Sequence, residues 1–222
     1  MKTLLTIFIV GQSLLGFTQE SLFFFRKGTK VNKILVLPPA TLIYGIFHGS
    51  KLQFDSVLTQ KAFLHTSTQL IQSFPDSIST VLFSADSVNK LKLRNFVCNL
   101  NNEFKKESQI KKYQLPDSIL ILFDTTKFNY VFCTSNVGFI RDRNNLTNTA
   151  FTMEITNMLT GHGLRPAESA SVMSCFIIDL RKKNILCFQR SIWMERDPTD
   201  LRIIKLQLAR LIKQIFFWQN QY

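Results

Sequence analysis

The chain is poor in the residues that usually mark chemistry. Its 222 residues hold 8 glycines, 6 prolines, 4 cysteines and 3 histidines. Glycine is too sparse and too scattered to form a phosphate-cradling loop, and neither a Walker pattern nor a G-x-S-x-G nucleophile elbow occurs. There is no H-E-x-x-H, no Cys-x-x-Cys and no Cys/His cluster, so the ligand spacing of a zinc site is missing. Acidic side chains are scarce as well: 15 Asp and Glu stand against 27 Lys and Arg, a net charge of +12. From these absences no catalytic set, no cofactor site and no metal site is assigned.

What is present begins at the amino terminus. Lys2, an apolar stretch from Leu4 to Leu15 and the small residues Gly16 and Thr18 follow one another in the order of a secretory signal peptide, with cleavage expected ahead of Gln19. Gln12 and Ser13 interrupt the stretch, and a permanent anchor needs about 20 apolar residues. No cysteine follows the stretch to carry a lipid; the four lie at 98, 133, 175 and 187. Residues 1–18 are therefore read as a leader, 19–32 as a tether whose Phe23 to Phe25 could cover a sheet edge, and 33–222 as one domain. The mature chain is expected to work outside the cytoplasm, in the periplasm, at the outer membrane or beyond. It has no further run long enough to span a bilayer.

With 45% hydrophobic residues, 21 of the 222 being phenylalanine, the remainder is too apolar for disorder. A charge of +12 would suggest nucleic acid in a cytoplasmic protein, but export removes that partner. Other envelope proteins or an anionic envelope surface remain. Export also permits disulfides, and four cysteines allow three pairings, which spacing does not decide between. A short loop at Lys182-Lys183 would set Ile178, not Cys175, against Cys187, so a bridge across that hairpin is disfavoured.

Along the domain, Lys33 to Leu37 closed by Pro38-Pro39 reads as a first, central, buried strand. Phe63, Leu64, Leu70, Ile71 and Phe74 predict a helix over 59–74, with His65 off its apolar face. Ile78 to Phe83 reads as a strand. Ser84 or Asp86 can cap a second helix with the stripe Leu93, Phe96, Val97, Leu100 and Phe104. Pro-Asp-Ser-Ile recurs at 75–78 and 116–119, which suggests two similar corners and a strand over Ile119 to Phe123. Phe128 to Thr134 and Val137 to Arg141 read as two strands paired around a turn at Ser135-Asn136. Residues 144–169 fit helix and strand equally. Val172 to Leu180 and Ile185 to Met194 form the clearest hairpin.

Asp197-Pro198-Thr199-Asp200 offers an N-cap, a proline at the first helical position and a first-turn carboxylate. Leu201, Ile204, Leu208, Leu211, Ile212 and Ile215 then share one face, with Arg202, Lys205 and Lys213 opposite as a candidate anion or partner face. The fold class is α/β, turning to α+β in the second half: one domain of two or three layers, a mixed sheet carrying helices, a late hairpin and a terminal amphipathic helix.

The strand KILVLPPA, the hairpin CFIIDLRKKNILCFQRSIW and the terminal DPTDLRIIKLQLARLIKQIF together resemble the periplasmic α/β domain of curli-secretion and TolB amino-terminal-domain-like lipoproteins. They are more similar still to uncharacterised secreted proteins of Bacteroidetes. In that wider group Asp is followed by two residues and then Thr-Gly at the hairpin turn; here Asp179 leads to Leu180, Arg181, Lys182 and Lys183, without the glycine. The resemblance implies a cell-envelope protein that assembles with other proteins, and carries over neither a lipid anchor nor a secretion channel.

The expected function is therefore a non-enzymatic envelope module for interaction or assembly. The alternative is a hydrolase at the carboxyl end of the sheet, with His48 as base and Asp55 and Ser56 beside it. His162, between two glycines, has no carboxylate or second histidine placed to orient it.

Overall fold

A computed structural model of the chain describes residues 21–26, 29–47, 51–84, 86–104, 106–124, 126–142 and 168–221. The strands are β1 (Ser21–Phe25), β2 (Lys33–Val36), β3 (Ala40–Ile46), β4 (Gln53–Phe54), β5 (Ser79–Leu82), β6 (Tyr130–Arg141), β7 (Ser169–Asp179) and β8 (Asn184–Met194). The helices are α1 (Ser56–Gln72), α2 (Ser87–Glu103), α3 (Glu107–Lys112), α4 (Asp117–Leu120) and α5 (Leu201–Gln221).

All strands join one mixed sheet of 8, with the path β1-β8-β7-β6-β2-β5. Strand β6 is its axis. Antiparallel β7 covers one flank from Tyr130↔Asp179 to Ile140↔Ser169. The other flank is shared by two parallel strands in succession: β2 through Leu35↔Val131 and Val36↔Phe132, then β3 from Ala40↔Ser135 to Ile46↔Arg141. Pro38 and Pro39 divide them, because proline has no N–H to give the ladder. Leu37 N still donates to Phe132 O at 2.9 Å, so the break is confined to the prolines.

The sheet lies between two helical layers, which makes three layers in all. On one face Leu93, Phe96, Val97, Leu100 and Phe104 of α2 and Ile110 of α3 pack on Val131, Cys133, Phe176 and Phe188. On the other, Ile204, Leu208, Leu211, Ile212 and Ile215 of α5 and Leu70 of α1 pack on Phe132, Met173, Cys175 and Ile177. The α2 stripe is the one its periodicity predicts. Among the described residues no helix is long and apolar enough to cross a membrane.

Several expectations need correction. Lys33–Val36 is a buried inner strand but follows β1, which lies in the stretch read as a tether and pairs with β8 from Ser21↔Ser191 to Phe25↔Cys187. Ser135 and Asn136 do not turn; they are fully buried in the middle of the unbroken β6. Asn136 Nδ2 donates to Thr66 Oγ1 at 3.2 Å and to Pro198 O at 3.1 Å, so one of the two polar side chains that suggested a turn instead ties the sheet to the helical layer. Ile119–Phe123 is not a strand but α4 followed by a 3-10 turn. Ile119 and Phe123, four apart, are buried while Ile121 is 65% exposed, which is helical spacing.

Helix α1 starts at Ser56 and buries Ala62, Thr66, Gln69 and Leu70, leaving Leu64 53% exposed. His65 is half-buried rather than on the surface, its Nδ1 2.8 Å from Thr199 O. Helix α5 begins at Leu201, later than its proline suggested: Asp200 Oδ1 accepts from Arg202 N at 2.7 Å as the cap. Asp197 instead holds Thr199 in the preceding turn, accepting from its N at 2.7 Å and its Oγ1 at 2.8 Å.

The hairpin forms as expected, with Asp179 opposite Asn184 and a register shift at Ile177/Ile178 that sets Ile177, not Ile178, against Cys187. Asp179 Oδ1 accepts from Arg181 N at 3.0 Å and Lys182 N at 3.1 Å. Lys183, at the end of the turn, has a left-handed φ of 52°. All four cysteines are buried free thiols. Residues 143–167, with nearly all of the segment left as helix or strand, lie outside the described residues.

Candidate functional site

Asp55 and Ser56, two members of the hydrolase alternative, lie where β4 passes into α1. Asp55 Oδ1 accepts from Leu58 N at 2.9 Å and its N donates to Ile43 O at 3.0 Å, so the carboxylate serves as the helix N-cap. Ser56 is the exposed first residue of α1. His48 and His162 lie outside the described residues.

A larger concavity, of about 880 Å³, opens at the opposite end of the sheet, where β2 and β5 begin. Its floor is the apolar junction of three elements: Phe74 beyond the end of α1, Ile78 ahead of β5, and Phe216 of α5. Phe74 packs edge-on to Phe132 at 4.8 Å and tilted against Phe216 at 5.8 Å, which fixes the floor to the core. Its rim carries Lys30, ahead of β2, and Lys213 of α5. Neither lysine forms an ion pair with a described residue, and Asp76, flanked by the lining residues Pro75 and Ser77, pairs with neither.

Lys213 ends a stripe. At 100° per residue Arg202, Lys205, Ala209 and Lys213 fall on one side of α5, and all four are exposed. Ala209 and Lys213 line the groove, so Arg202 and Lys205 extend its positive edge along the helix. The predicted basic face is thus continuous with a concave surface. Lys30 and the apolar floor had no signal in the sequence; Lys30 belonged to a stretch read as a tether, and only the β1-to-β2 connection carries it to α5.

Among the described residues no Asp, Glu, His or Cys lines the groove. Ser73 Oγ, which does, donates to Gln69 O at 2.8 Å. The described lining of the groove, two cations over an apolar floor, suits recognition of a ligand. It can take up negative charge on two lysines and an apolar side chain on its phenylalanines.

No family model matches the chain, and no curated protein matches it. Among solved structures the chain is similar to the PelC dodecamer from Paraburkholderia phytofirmans, with 8% identity and a TM-score of 0.41, covering 89% of this chain and 97% of that one. It is similar to lipoprotein GNA1162 from Neisseria meningitidis, with 13% identity and a TM-score of 0.34, covering 83% and 96%. It is also similar to the C-terminal domain of LpoB from Salmonella enterica, with 7% identity and a TM-score of 0.27, covering 75% and 85%.

Proposed function

We propose that this chain is a non-enzymatic exported protein of the cell envelope, an interaction or assembly module of the periplasm or outer membrane, and that its groove receives an acidic segment of a partner protein. The groove carries the reading: two lysines without acidic partners stand over an apolar floor at the amino ends of β2 and β5. Ligand and catalytic sites of open α/β sheets gather at the carboxyl ends of the strands. A basic, apolar-floored concavity at the other end suits a peptide with carboxylates beside an aromatic or aliphatic anchor. The order of Lys2, apolar stretch and small residues supports export, and the resemblance to curli-secretion and TolB-type domains supports the compartment.

Titration of the full-length chain with a Glu-rich peptide carrying one Phe tests this by calorimetry. Binding that weakens with added salt and falls at least tenfold in K30E/K213E is expected. Equal affinity in wild type and the double variant overturns the reading.

A further inference from the structure

The sheet face opposite the groove carries a charge that no acid among the described residues balances. Ser135 of β6, Ser174 of β7 and Arg190 of β8 are successive register partners, so they form a row across three strands on the face covered by α2. Asn101, near the end of α2, lies over the row. Ser174 Oγ donates to Asn101 Oδ1 at 2.6 Å, and Arg190 Nε donates to the same oxygen at 3.1 Å and to Ser174 Oγ at 3.4 Å. Arg190 Nη2 donates to Asn101 O. The guanidinium stands 5.2 Å from the centroid of the Phe188 ring.

Held along its Nε/Nη2 edge and over a ring, the fork keeps its outer Nη1/Nη2 edge for something else. Among the described residues no carboxylate lies within ion-pair distance of it. One strand beyond Ser174, Ser135 is fully buried and its Oγ has no hydrogen-bond partner among the described residues. A half-buried cation without a counter-charge and a buried hydroxyl without a partner are both costly in an empty site and both suit an oxyanion. The surroundings are apolar. Leu22, opposite Arg190 on β1, and the register pair Val172 and Ile192 are half-buried, and Met194 is 38% exposed.

We propose that the Ser135–Ser174–Arg190 row binds the head of an anionic amphiphile: a carboxylate or phosphate taken by the Arg190 fork, with its hydrocarbon body along Leu22, Val172 and Ile192. The site is on the other face of the sheet from the lysine groove, so either can fail without the other.

The test titrates dodecanoate, monododecyl phosphate, dodecanol and inorganic phosphate, each as monomer, into the full-length chain. Both anionic amphiphiles are expected to bind, with dodecanol and inorganic phosphate at least tenfold weaker. R190M and R190K are expected to lose at least tenfold, and K90Q, which removes an exposed cation of α2, to bind as wild type does. Should R190M fail to fold, R190K decides, since it keeps the charge and loses the fork. S135A is expected to raise the melting midpoint of the ligand-free chain and to weaken binding. Unchanged binding in R190K, equal binding of dodecanol, or no binding of either anionic amphiphile overturns the proposal. So does binding confined to vesicles of anionic phospholipid and indifferent to R190K, which would assign the affinity to the basic surface at large.

Discussion

In an oxidising compartment exposed thiols pair, whereas buried ones are shielded. Here Cys98 and Cys133 are buried on one face of the sheet and Cys175 and Cys187 on the other. Burial pushes the Cys175 thiol up to about 12 against a weaker downward pull from the Thr134 hydrogen bond. Burial, helped by Cys175 nearby, holds Cys133 and Cys187 well above the ordinary thiol range. A thiol reagent at neutral pH is therefore expected to leave these three untouched in the folded protein, and to titrate all four cysteines once the chain is unfolded in denaturant. Prompt labelling of Cys133 in the native state would contradict this. Phe132, fully buried beneath Phe74, is the residue on which core density turns; Phe132→Ala is expected to cost about 3–5 kcal/mol in urea unfolding. Lys183 tells the reverse story. Its φ of 52° strains a side-chain-bearing residue, so Lys183→Gly is expected to raise stability by up to about 1 kcal/mol, against the usual direction of a glycine substitution.

Caps decide where the helices start. Asp55→Ala, which removes the acceptor of Leu58 N, is expected to cost about 1 kcal/mol, while Asp55→Asn costs less because the amide oxygen still accepts. Asp86 caps α2 in the same way. The backbone N–H of Asn89, donating to its carboxylate at 2.8 Å, holds Asp86 below the ordinary 3.8. A carboxylate with a lowered folded pKa stabilises above the unfolded value, and that contribution is lost as pH falls through the folded one. Amides in the first turn of α2 are accordingly expected to lose protection, relative to their intrinsic exchange rates, as pH falls through the folded pKa of Asp86, a loss that Asp86→Asn should lack.

Elements show how far local sequence reached. Periodicity found α2 and α5 because the positions in those stripes meet the same layer, except Leu201, which the first turn of α5 leaves 42% exposed. The two Pro-Asp-Ser-Ile segments mislead because their wording is shared and their surroundings are not. Both close the same turn, Ile78 N to Pro75 O at 3.0 Å and Ile119 N to Pro116 O at 2.9 Å; beyond it Ser79 N finds Asn32 O at 2.9 Å and a strand grows beside β2, whereas Leu120 N also returns to Pro116 O at 3.2 Å and a helix forms. Ser135 and Asn136 mislead for a related reason. Polar residues read as a turn until Thr66 and Pro198 arrive from distant parts of the chain to take the amide of Asn136. Gly138 belongs with them: a Cβ there would come within 2.4 Å of Ala170 O on β7 and 2.6 Å of Pro198 Cβ ahead of α5, a constraint set by distant parts of the chain.

At the scale of the whole molecule, the sheet separates two kinds of surface. Its carboxyl end holds Asp55 as a cap, and its amino end opens into the groove of Lys30 and Lys213. The stripe Arg202, Lys205 and Lys213 was legible because it lies on one helix. The groove was not, since it forms where the segment ahead of β2, the end of α1 and the far half of α5 meet. Hydrogen exchange of the full-length chain, measured with and without the Glu-rich peptide, tests most directly which end is the working one. The account predicts added protection over residues 73–78 and 209–217 and none over 51–59. Protection over 51–59 with residues 209–217 unchanged would contradict it.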